Sequence, residues 1–110
     1  MANTFLRKTS RNIGTSAATV GSYTVGASTQ TTIIGLTCSN TTATAITVDV
    51  QLNDGTNDTY LVKAATVPSG SSIVIVGGDQ KVVLQTGDSV KVTSSAATSC
   101  DVVMSILEIT

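Results

Sequence analysis

Hydrophobic and polar residues alternate along most of this chain, and no long segment repeats its apolar positions at the spacing of an amphipathic helix. The clearest alternation covers residues 46–52, whose shared apolar face consists of Ile46, Val48, Val50 and Leu52. A dense turn signal follows at residues 53–58, and a second strand-like segment covers residues 59–65. The pattern therefore predicts a β-hairpin over residues 46–65.

Further strands are predicted wherever a short alternating or β-branched segment is bounded by turn residues. A slip in the alternation predicts a β-bulge at Gly21. The last segment is apolar on both faces, which predicts a place in the middle of a sheet or against another chain. These further segments are residues 18–25, 30–38, 71–76, 81–85, 89–94 and 100–109.

The chain is therefore expected to be an all-β protein, an antiparallel β-sandwich of about eight short strands. A jelly-roll-like order is the first choice, and an immunoglobulin-like order is the second. With 110 residues the chain has the length of one domain. We expect the sandwich to cover residues 15–110 and a basic N-terminal arm to cover residues 1–14. No apolar stretch of signal-peptide length opens the chain, so we expect synthesis in the cytoplasm without export.

The composition argues against several classes of function. Histidine is absent, which excludes Ser-His-Asp and Cys-His catalysis and any histidine-ligated metal site. A net charge of −1 gives no support to nucleic-acid binding, and no apolar run is long enough for a membrane helix. We therefore expect a protein that is not an enzyme and that uses no cofactor, no metal, no nucleic acid and no membrane.

Two weak motifs are expected to be turns. Asp54, Asn57 and Asp58 could offer oxygen ligands to calcium, but the 12-residue EF-hand pattern is absent. Gly77, Gly78 and Asp79 resemble part of a phosphate-binding loop, but the remaining residues of that motif are missing.

Charge is distributed unevenly along the chain. Residues 1–48 contain three cations and no acid, whereas residues 49–110 contain three lysines and seven acids. The cations could belong to a solvated arm. They could equally belong to an assembly arm that lies on an acidic neighbouring surface, where arginine can form bidentate pairs with carboxylates. The residues of this predicted assembly arm are Phe5 and Leu6 as apolar anchors and Arg7, Lys8 and Arg11 as cations.

Two cysteines, Cys38 and Cys100, are too few for a disulfide framework. We expect two buried free thiols, because a cytosolic environment is reducing. A disulfide would close a long loop and stabilise the fold by about 4 kcal/mol if the geometry allowed it.

The low charge of the chain is also typical of a protein that functions as part of an assembly. A small sandwich exposes sheet edges that can pair with other chains, and this sequence offers few charges and one proline to block them. Symmetric oligomers cover such edges. We therefore expect a homo-oligomer.

Several segments of the chain resemble small β-sandwich structural proteins from the virions of tailed bacteriophages. The resemblance implies a non-enzymatic protein of the virion, made in the host cytoplasm, that contacts capsid, neck or tail proteins. It leaves open whether the protein decorates the capsid or belongs to the neck, collar or tail. A carbohydrate- or receptor-binding sandwich is the alternative. The segments that carry the resemblance are residues 1–5, 53–56, 60–63, 67–70, 77–81, 87–92 and 106–110.

Overall fold

The computed structural model describes residues 2–110, and these form two antiparallel β-sheets packed face to face. The nine strands are β1 (Asn3–Ile13), β2 (Ala18–Thr24), β3 (Gln30–Asn40), β4 (Ile46–Asn53), β5 (Asp58–Val67), β6 (Ser72–Val76), β7 (Val82–Leu84), β8 (Ser89–Ser94) and β9 (Cys100–Ile109). The predicted all-β sandwich is confirmed. No helix in the described part of the chain is long and apolar enough to cross a membrane.

The strands pair in a nested order. The first sheet has the order β1-β9-β3-β6, with β7 also paired to β3, and the second has the order β2-β8-β4-β5. The outermost chain segments pair with each other, β1 with β9 and β2 with β8, and the central pair β4 and β5 forms the predicted hairpin. In an immunoglobulin sandwich the first two strands share a sheet. Here β1 and β2 lie in different sheets, so the immunoglobulin-like alternative is wrong.

The core lies between the two sheets and consists mainly of β-branched and aliphatic side chains. The alternation of the strands accounts for this core, because every second residue of β4, β8 and β9 points inward. Strand β3 keeps the same spacing on either side of the irregularity between Ile33 and Gly35. Removing this apolar surface from water is the main force that holds the sheets together. The largest fully buried side chains are Ile33, Leu36, Leu84, Met104, Ile106, Val20, Val48, Val50, Val67, Val76, Val90 and Val92.

Eight of the nine strands match segments predicted from the pattern, and β9 lies mid-sheet between β1 and β3, as its two apolar faces predict. The bulge at Gly21 is also confirmed, since Gly21 has a φ of 60° and the pairing of β2 with β8 shifts register around it.

The N-terminal segment is different from the expectation. Residues 3–13 form β1, an edge strand paired with β9 of the same chain, instead of an arm that leaves the sandwich. The boundary expected at residue 14 therefore falls inside a continuous sandwich, and Met1 lies outside the described residues. The reason is that β9 would otherwise expose its whole backbone edge, and β1 satisfies those hydrogen-bonding groups. That the cations of this segment contact an acidic surface of a neighbouring molecule stays a prediction.

Candidate functional site

Strand β1 carries the cations of the predicted assembly arm along an open sheet edge. Arg7 and Arg11 are exposed and Lys8 is half-buried. In residues 2–110 one ion pair is formed, between Lys63 and Asp49 at 3.5 Å. The three cations of β1 therefore have no acidic partner within the described chain.

The two expected apolar anchors have different environments. Leu6 is half-buried and packs against the core of its own chain. Phe5 is 74% exposed, which is unusual for an aromatic side chain without a partner.

Polar contacts hold the inner face of β1 against β2. The Lys8 ammonium lies 5.1 Å from the centre of the Tyr23 ring, a cation–π contact. The Ser10 hydroxyl accepts a hydrogen bond of 2.8 Å from the Gly21 amide. A side chain at Gly21 would place its Cβ 2.7 Å from the Lys8 Cβ, so this close approach requires glycine. Ile13 is the one fully buried side chain of β1, so the strand contributes little apolar area to the core.

Exposed apolar side chains are concentrated on the outward side of the first sheet. Five large hydrophobic residues of the described chain are well exposed, and four of them lie on this side; Tyr60, on the second sheet, is the fifth. We call these four the apolar outer face; they are Phe5, Val74, Val83 and Val103.

The pairing register arranges these residues in two rows across the sheet. One row runs from Phe5 through Leu107 and Thr32 to Val83. The other runs from Thr9 through Val103 and Thr37 to Val74. Each row therefore begins on β1 and ends on the opposite edge of the sheet with an exposed valine.

The four sheet edges differ in how they are protected. Edge strands are commonly guarded against pairing by charges, bulges or shortness. Strand β1 carries three cations, whereas β2 and β5 are interrupted by register shifts in their pairing. Strand β6 has the sequence SIVIV, with no charge. Its pairing with β3 also shifts register, between Leu36 and Thr37, so this edge is protected by its shortness and one irregularity but by no charge.

A buried polar cluster joins three strands beneath the inner face of β1. The Tyr23 hydroxyl donates to Glu108 Oε2 at 2.6 Å. Because this uses its one proton, it accepts from the Thr31 hydroxyl at 2.7 Å. Burial, and next the hydrogen bond with Glu108, raise the pKa of Tyr23 to about 12. No local sequence pattern predicts this cluster, since its members lie on β2, β3 and β9.

Replacing Tyr23 by phenylalanine is expected to change the pH dependence of stability. The unfolded chain loses the tyrosine proton near pH 10, whereas the folded chain keeps it until about pH 12. The stabilisation by this hydroxyl is therefore complete below pH 10 and falls as pH rises towards 12. We expect the difference in unfolding free energy between wild type and Tyr23→Phe to shrink by about 2 kcal/mol across that window.

Urea unfolding of both chains at pH 9, 10.5 and 12 measures this difference. A constant difference between wild type and Tyr23→Phe over the whole range would contradict the described burial of Tyr23.

Both cysteines lie inside the sandwich as free thiols. Cys38 on β3 and Cys100 on β9 are each 0% exposed. Cys38 pairs with Val102 and Cys100 pairs with Asn40, so the two are diagonal neighbours on adjacent strands. Contact with the Cys100 thiol, and next burial, raise the pKa of Cys38, which disfavours the reactive thiolate. That both thiols stay reduced in the cell remains a prediction.

The two weak motifs are turns in the structure. Asp54 Oδ1 accepts the amides of Asn57 and Thr56 at 2.7 and 3.0 Å, and these bonds lower the pKa of Asp54. The Gln80 amide donates to the Gly77 carbonyl at 3.1 Å. In the described part of the chain, no group of three or more cysteines and acids is placed to hold a metal.

One open cleft of about 490 Å³ lies where β1 turns into β2. Arg11 is its one charged lining residue, and apart from Ile13 the rest are small or polar. Such a lining offers no acid, base or nucleophile pair for catalysis.

The chain was compared with known proteins. No protein-family model matches it, and no curated protein matches it. A chain of the Bacillus endospore appendages, described as a novel family of disulfide-linked pili, superposes with a TM-score of 0.58 and 18% identity, over 99% of this chain and 87% of that one. A chain of infectious bursal disease virus, Gx strain, gives a TM-score of 0.55 and 12% identity, over 97% of this chain and 31% of that one. At these identities the likeness shows a shared fold.

Proposed function

We propose that this chain is a non-enzymatic structural protein that works as repeated copies in a larger assembly, with the exterior of a tailed-phage virion as its setting. The observation that carries the proposal is the combination of an uncharged edge strand, β6, with the apolar outer face. Burying this surface is favourable, and burying it against other copies requires no chemistry. Capsid decoration, neck, collar and tail are the locations that this role covers, with capsid, neck or tail proteins as further partners.

Two further points support the proposal. The nested strand pairing is the order of a jelly roll, a fold that virus capsid proteins use widely, and we propose that fold for this chain. The similar chains come from an appendage described as a pilus and from a virus, both of which are assemblies.

A carbohydrate-binding role has less support. Sugar sites are lined largely by apolar and aromatic side chains around a few polar groups. Within residues 2–110 the exposed aromatic residues are Phe5 and Tyr60, which lie on different sheets and cannot form one platform.

Electron microscopy of the purified chain tests the proposal. We expect negatively stained samples at high protein concentration to contain rings or tubes of one constant width. Particles of single-domain size at every concentration would contradict it. A glycan array with bound sugars would favour the alternative.

A further inference from the structure

The open edge of β1 is built to accept another strand. Ala2 and Thr110 exchange two backbone hydrogen bonds, of 3.1 and 3.0 Å. The register from Asn3 to Ser10 is unbroken, so alternate residues of β1 direct their backbone groups to β9 and the others direct theirs outward. The residues with outward N–H and C=O groups are Asn3, Phe5, Arg7 and Thr9. They form the longest uninterrupted edge of the molecule.

Strand directions determine how a second copy can meet this edge. The first sheet is four strand positions wide, because β6 and β7 follow each other along the same outer position beside β3. We call that position the β6–β7 edge. All neighbours are antiparallel and the number of positions is even, so β1 and the β6–β7 edge run in opposite directions. A second copy placed alongside in the same orientation therefore presents its β6–β7 edge antiparallel to β1.

Charge favours this arrangement over a twofold pairing of β1 with itself. Pairing two β1 strands would bring two sets of three unpaired cations together, which is destabilising. The β6–β7 edge carries no charge within its strands, and the connection between them contains one acid, Asp79, and one cation, Lys81. The β6–β7 edge therefore has no net charge and does not repel the cations of β1.

The two rows of the outer face are compatible with this arrangement. Continuing the first row into an adjacent copy places Phe5 beside Val83 of the next copy, and continuing the second places Thr9 beside Val74 of the next copy. Phe5 and Val83 are 74% and 62% exposed in the single chain. An aromatic residue opposite a β-branched one is a favourable cross-strand pair. The side-by-side arrangement thus covers exposed apolar groups at both ends of the first row, and Val74 at one end of the second.

We infer that β1 of one copy pairs with the β6–β7 edge of the next copy, so that the first sheets of successive copies join into one continuous sheet. The inference rests on the proposed function and specifies its interface. This contact is heterologous, with different surfaces meeting, so it generates a closed ring or an open filament instead of a twofold dimer.

Cysteine cross-linking with a short bismaleimide tests the interface, using Thr9→Cys, Val74→Cys and the double variant. Both positions are exposed, so the substitutions leave the core intact. Within one chain they are three strand positions apart, roughly 14 Å, and equivalent residues of adjacent copies are about 19 Å apart. A linker shorter than these spans joins only residue 9 to residue 74 of a neighbouring copy. The wild type, whose two cysteines are 0% exposed, is the control.

We expect the double variant to give a ladder of dimers, trimers and larger products on a denaturing gel, and each single variant to stay monomeric. Dimers from either single variant would show a twofold contact and overturn the inference. An absence of products from a double variant that still associates by light scattering would overturn it as well, while leaving the proposed function in place. A double variant and wild type that are both monomeric by light scattering would overturn the inference and the proposed function together.

Discussion

Replacing Val102 by alanine is expected to lower the free energy of unfolding by about 2 kcal/mol, whereas the same change at Val103 lowers it by less than about 0.5 kcal/mol. The two residues are adjacent on β9 and point to opposite sides of the sheet. Val102 is 1% exposed and Val103 is 49% exposed. Two buried methyl groups contribute about 0.8 kcal/mol each, and the cavity left in a packed core adds to the loss.

Urea unfolding followed by far-ultraviolet circular dichroism measures both changes, since the chain has no tryptophan. The two variants carry the same substitution at adjacent positions of one strand. An effect of lower β propensity that is common to both therefore cancels in the difference between their unfolding free energies. Measurement at low protein concentration keeps association from contributing. Equal losses at the two positions would contradict the described orientation of β9.

Thr9→Pro is expected to weaken the association between copies while leaving the fold of each copy intact. The Thr9 amide points away from β9, so Thr9→Pro keeps the hydrogen bonds between β1 and β9 while removing one donor from the open edge. We expect the melting temperature to change by only a few degrees. The dissociation constant between copies should rise at least tenfold, because an unpaired carbonyl and the proline ring disrupt the interchain pairing.

Ser10→Pro is the matched control for that variant. Its amide points towards β9 and its hydroxyl accepts the Gly21 amide, so proline there removes two hydrogen bonds of the fold itself and should cost at least about 2 kcal/mol of stability. Thr9→Ala controls for the loss of the threonine side chain and should associate like the wild type. If Thr9→Pro also associates like the wild type, the open edge of β1 has no part in assembly.

The local strand pattern was predictable because burial of one face imposes a two-residue period. This held for β4, whose alternating valines are all buried. It failed for β1, whose inward residues include Lys8 and Ser10 instead of a row of aliphatic side chains. Pairing with β9, which is distant in sequence, makes that segment a strand.

The candidate site could be predicted only in part. The sequence identifies Phe5 and the three cations as members of a candidate assembly arm. Their place on an open edge, and the position of Phe5 and Val83 at opposite ends of one row, depend on strand order and register. These arise from long-range pairing, which local patterns do not encode. The closeness of Cys38 and Cys100 has the same origin, since β3 and β9 are neighbours only in the folded sheet.

The molar mass of the intact wild-type chain in solution shows directly whether copies of this chain associate. Sedimentation equilibrium over a wide range of protein concentration, at low and at high salt, gives this mass without any modification of the chain. We expect masses that are multiples of 11.1 kDa and that rise with concentration or settle at one closed ring. A mass of 11.1 kDa at every concentration and salt would contradict this expectation.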